Sequence, residues 1–93
     1  MPEYYPVSRI IGKKITNYRK MNGLSLYDIA KMINVSEQQQ SRYERGINRI
    51  NLDRLSQYAD IFNINFLVFF NLSNNENEII KKYLNSSSNI DDH

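Results

Sequence analysis

Apolar residues at Ile11, Ile15 and Tyr18 recur at spacings of four and three, the pattern of one helical face. Ser8 stands where an N-cap would open that helix. It is predicted to run to about Asn22, with Gly23 as a left-handed stop and Lys13, Lys14 and Lys20 off the apolar stripe. Next, Ser25 and Asp28 have capping-box spacing, and Ile29, Ala30 and Ile33 give the inner face of a helix of about eight residues. The segment INVS breaks the periodicity. Ser36 then caps a third helix, Glu37 to Arg45, which stops at Gly46. Asn51 caps a fourth, with Leu52, Leu55, Ala59 and Phe62 on its buried side, and Asn65 starts a short fifth over FLVFF. No alternating strand pattern appears. The expected class is all-α.

Beyond residue 72 the pattern weakens. Ile79, Ile80, Tyr83 and Leu84 could line a short C-terminal helix within 73–85, whereas 86–93 has nothing to bury and reads as a disordered tail. Residues 1–7 are expected to form an N-terminal arm, and 8–72 the domain. Helices two and three, joined by so tight a turn and closed by a glycine, form a helix-turn-helix arrangement.

Composition narrows the chemistry. The 93 residues suit one small domain and include no cysteine, which removes disulfides and thiolate metal sites. The one histidine is His93, so neither a histidine-centred catalytic site nor a metal site is expected, and no cofactor. No signal peptide or membrane-spanning run is visible, and a cytoplasmic protein without membrane contacts is the expectation. Net charge is +2, but its distribution matters more. Arg9 to Arg49 carries nine basic residues against three acids, while the rest carries three against seven. A basic half joined to an acidic one points to a polyanionic partner.

At about 100° per residue, Gln38, Ser41, Arg42 and Arg45 fall on one side of helix three. Gln40, Tyr43, Glu44 and Ile47 fall roughly opposite. Guanidinium groups pair with guanine and glutamine amides with adenine, and a helix is the element that fits a major groove. The segments IGKKITNYRKMNGLS, DIAKMINVS, SRYERG and LDRLSQYADIFNI carry a specific likeness. Residues 11 to 70 resemble the lambda-repressor-like, Cro/C1-type helix-turn-helix family (the XRE family), whose five-helix domain binds operator DNA. That resemblance implies base reading by Glu37, Gln38 and Arg42, with Gln39, Ser41 and Arg45 as flanking candidates. It also implies a pair between Arg19 and Glu44 that orients both side chains near the phosphate backbone. Phosphate contacts are expected from Arg19, Tyr27, Lys31, Arg45, Asn48 and Arg49.

The chain departs from the family in three places. Leu26 stands where a phosphate-contacting glutamine is common. Glu37 brings a negative charge to the first position of helix three, where it either accepts from cytosine or favours the helix dipole. Gln40 stands where the family usually has Ile or Val facing helix two. A buried amide without partners costs about 1–3 kcal/mol. Gln40 must therefore hydrogen-bond inside, for instance to a backbone carbonyl or to helix two, or bend its head outward at some loss of stability.

The expected function is a sequence-specific transcriptional regulator of double-stranded DNA, acting as a homodimer through Phe69, Phe70, Leu72, Ile79, Ile80 and Tyr83. The helix bearing QQ and SRYERG is similar to short regulators encoded with enterobacterial fimbrial operons, which link adhesion to motility. An autoregulating antitoxin with a toxin partner, or a small phage repressor, is the alternative. No nucleophile–base pair or phosphate-binding glycine loop supports an enzyme.

Overall fold

A computed structural model describes residues 5–70 together with Asn75, Asn77, Glu78, Lys81 and Lys82. It contains α1 (Pro6–Met21), α2 (Leu26–Met32), α3 (Glu37–Arg45), α4 (Leu52–Phe62) and a 3-10 segment, Phe66–Phe70. No strand occurs among the described residues. The all-α expectation holds, but the fifth helix is a 3-10 segment. Its register is set by Asn65, whose carbonyl accepts from the Val68 amide at 2.9 Å and whose side chain accepts from the Leu67 amide at 2.8 Å. Such local side-chain bonding competes with an α-helical start.

Three helix starts follow the capping chemistry of the sequence. Ser25 accepts from the Asp28 amide while Asp28 accepts from the Ser25 amide, a complete capping box. Ser36 accepts from Gln39 N at 3.0 Å, and Asn51 accepts from Arg54 N at 2.7 Å. The first helix departs from expectation, because Ser8 does not cap it. It begins at Pro6, behind an extended Tyr5 that makes no side-chain cap. Proline suits the first helical position, since its φ is already helical and its missing N–H would have been unpaired there.

The core gathers Ile11, Ile15, Ile29, Ile33, Leu55, Tyr58, Ala59, Phe62 and Phe69. Tyr18, Phe62 and Tyr58 stack in sequence, with centroids 5.6 and 6.2 Å apart, and Phe69 meets Tyr18 edge-on at 6.1 Å. Two expectations are corrected here. Leu52 is 66% exposed, because the buried arc of α4 runs through Leu55, Tyr58, Ala59 and Phe62 and leaves the first turn outside it. Phe69 is fully buried in this chain's own core and is not available to a partner. Phe70 remains 43% exposed. Leu72, Ile79, Ile80, Tyr83 and the 86–93 tail lie outside the described residues.

Glycine at position 12 allows α1 to press directly on α3. A Cβ there would collide with the carbonyl oxygens of Tyr43 and Glu44. Gly46 ends α3 in the left-handed region, φ 74°, and its carbonyl accepts from the Tyr5 amide at 3.0 Å. The end of α3 is thereby tied to the start of α1.

Candidate nucleic-acid interface

The turn between α2 and α3 fixes how α3 is presented. Asn34 takes a positive φ of 61°, and the Val35 amide returns to the Ala30 carbonyl at 2.9 Å, so the chain reverses within four residues. Arg54 of α4 supports the turn from below, donating to the Ile33 carbonyl at 2.8 Å. What emerges is a nine-residue helix whose only fully buried side chain is Gln40.

On the outward side, Glu37, Gln38, Ser41, Arg42 and Arg45 line one shallow depression of about 440 Å³ together with Leu26. Four base-reading candidates are therefore brought together. Gln39 is not among them; it is half-buried on the flank of the helix, between the outward face and the buried one. Beside them, Tyr27 and Lys31 of α2 share a second depression, about 490 Å³, with Glu37 and Gln38. The Lys31 ammonium lies 5.9 Å from the Tyr27 ring centroid. After α3, Asn48 is half-buried and Arg49 is exposed, its guanidinium 4.6 Å from the Tyr5 ring centroid. Glu37 occupies the first turn of α3, where a negative charge favours the helix dipole, and the cap itself is Ser36.

On the inward side, the expected Arg19–Glu44 pair is present. Arg19 Nε donates to Glu44 Oε2 at 2.8 Å, and Nη2 donates to Oε1 at 3.1 Å. Nη1 donates to the Leu24 carbonyl at 2.9 Å, so one guanidinium joins α1, α3 and the α1–α2 turn. Only 12% of the Arg19 side chain is exposed, which turns most of its donor capacity inward, away from a phosphate. The Thr16 hydroxyl adds a contact to Glu44 Oε1 at 2.9 Å, sharing its one proton with the Gly12 carbonyl at 3.0 Å.

Gln40 completes this cluster. Its amide nitrogen donates to Glu44 Oε2 at 2.8 Å, and its amide oxygen accepts from the Tyr58 hydroxyl at 2.5 Å. No bond to helix two is made; the partners are its own helix and α4. The amide head stays inside, and no buried side-chain nitrogen or oxygen among the described residues lacks a partner. Tyr58 was not singled out in the sequence. A tyrosine three residues after Leu55 and four before Phe62 was the available signal, since a buried phenol needs a partner for its hydroxyl. Burial raises the Tyr58 pKa well above the ordinary phenol value, assisted by nearby Tyr43 and Glu44 and opposed by the bond to Gln40. Tyr58 thus stays a neutral donor.

Residues 15–69 match the HTH_3 helix-turn-helix family over more than half of the chain. The chain belongs to that family. An uncharacterised HTH-type transcriptional regulator of Rickettsia conorii is 41% identical over 64 residues, 69% of this chain and 51% of the relative. The crystal structure of an HTH_3 family transcriptional regulator from Vibrio cholerae aligns with a TM-score of 0.61 and 29% identity, covering 71% of this chain and 38% of that one. The clp gene regulator ClgR of Corynebacterium glutamicum shares the fold, with a TM-score of 0.66 at 18% identity over 97% of this chain and 88% of its own. The chain spans about half the length of the curated relatives it matches. The family is one of transcriptional regulators, and among the described residues no group of acids or histidines could hold a metal ion. No described helix is long and apolar enough to cross a membrane.

Proposed function

We propose that this helix-turn-helix chain is a sequence-specific DNA-binding regulator that places α3 in the major groove. The observation that carries this reading is the division of α3. Gln38, Ser41, Arg42 and Arg45 face outward together, while Gln40 and Glu44 are locked to the core. Arg42 and Gln38 are the base readers, with Glu37 and Ser41 beside them. Tyr27, Lys31, Arg45, Asn48 and Arg49 take the flanking phosphates, and Arg19 with Glu44 orients α3 rather than meeting a phosphate directly.

One module of this size reads few base pairs, so useful specificity calls for two copies on half-sites about one helical turn apart. Phe70 and Leu67, both exposed at the end of the described domain, support a homodimer through this end of the chain. Sedimentation at micromolar concentration tests it. Regulation of a fimbrial operon and motility rests on the 38–46 motif alone, and swarming on soft agar upon expression is its test.

Immunoprecipitation of bound DNA followed by sequencing tests the central reading, with Arg42→Ala as the control. The expected result is loss of discrete sites with weak general binding retained. Discrete sites unchanged in Arg42→Ala would remove α3 from base reading.

A further inference from the structure

Arg19, the residue of α1 expected at a phosphate, is turned inward by its bonds to Glu44 and Leu24, but α1 carries other cations. Between α1 and the end of α3 lies an open groove of about 670 Å³, whose polar lining includes Arg9, Lys13, Asn17, Lys20, Arg45 and Glu44. The four cations and Asn17 are all exposed. We infer that this groove is a second phosphate-binding track, taking the sugar–phosphate backbone of the same duplex that α3 reads. The inference rests on the DNA-binding reading above.

Three observations carry it. First, Glu44, the acid on the groove wall, is already occupied. Its oxygens accept from Arg19 twice, from Gln40 and from Thr16, so it does little to neutralise the groove. Second, α1 brings only positive charge to the groove, with Lys13 and Lys20 both lining it. No acid occurs anywhere in Pro6–Met21. A polyanion gives that arrangement a use. Third, the groove is continuous with the reading face, because Arg45 lines both depressions. At 1.5 Å per residue, the stripe from Arg9 to Lys20 is about 16 Å long, and each DNA strand presents a phosphate about every 3.4 Å of axis. The stripe can follow several successive phosphates.

Salt-dependent binding tests this with a fluorescein-labelled mixed-sequence DNA duplex and the full chain. Lys13→Gln/Lys20→Gln is compared with wild type and with Lys81→Gln/Lys82→Gln, which removes the same charge from two exposed lysines outside the domain core. Lys13 and Lys20 are both exposed, so circular dichroism should be unchanged. Each lost phosphate contact lowers the log–log salt slope by about 0.9, so the α1 pair should lower it by about 1.8 per bound chain. The control pair should leave it near wild type, and sites selected in vitro by the α1 variant should keep the wild-type sequence. An unchanged slope overturns the groove while leaving α3 as reader, and so does an equal fall in both pairs. Wild type that binds no duplex at all sinks the DNA reading itself.

Discussion

The Tyr58–Gln40 hydrogen bond joins two side chains that are both fully buried, 18 residues apart in sequence. Tyr58→Phe deletes the donor and leaves the Gln40 amide oxygen without a partner in a dry site. That costs about 1–3 kcal/mol. Gln40→Met, similar in shape, strands the Tyr58 hydroxyl and also removes the donor to Glu44. A hydrogen bond to a charged group contributes about 1.5–3 kcal/mol, so this variant should lose about 2–4 kcal/mol. The combined variant has neither stranded group. It should be no less stable than Gln40→Met alone, giving a coupling energy of at least about 1 kcal/mol. A domain of this size is stable by about 5–14 kcal/mol, so all three variants should still fold. Urea unfolding followed by circular dichroism, with a shared m-value, measures each corner of the cycle. Single losses that simply add within about 0.5 kcal/mol would refute the buried relay as a coupled unit.

Other outcomes follow from the same contacts. Gly12→Ala should destabilise by about 1–3 kcal/mol, since the new methyl meets backbone carbonyls that cannot rotate away; a melting temperature equal to wild type would count against the close α1–α3 approach. The pKa of Tyr58 is raised in the folded state, so its contribution to stability is complete below the ordinary tyrosine value of 10.0 and declines as pH rises above it. Alkaline unfolding should therefore lose one component of its steepness in Tyr58→Phe. Asp28 is shifted the opposite way, held below 3.8 by the Ser25 amide and then by the Ser25 hydroxyl. Its support for α2 is present above that value and fades as pH falls through the lowered one. Asp28→Asn should flatten this acid limb in a pH titration of stability.

Most of the scaffold was legible along the chain, because caps and periodicity are local. Ser25 with Asp28, Ser36, Asn51 and Gly46 act on groups within three or four residues of themselves, so their spacing alone fixes where α2, α3 and α4 begin and α3 ends. The outward and inward faces of α3 follow from helical geometry for the same reason. Where local rules competed, the sequence reading slipped. Ser8 had a capping side chain, but Pro6 already satisfied the geometry of a helix start. Leu52 had the right period, yet the core did not extend beneath the first turn of α4. Gln40 could be assigned to the inner face but not given its partners, since Tyr58 reaches it only when α4 packs against α3. The α1 groove is likewise tertiary. Sequence placed Lys13 and Lys20 off the apolar stripe, and only the approach of α1 to α3 at Gly12 put them beside Arg45. Backbone hydrogen bonding and side-chain period determined the elements; contacts between residues distant in sequence decided which polar groups are buried together and which face a partner.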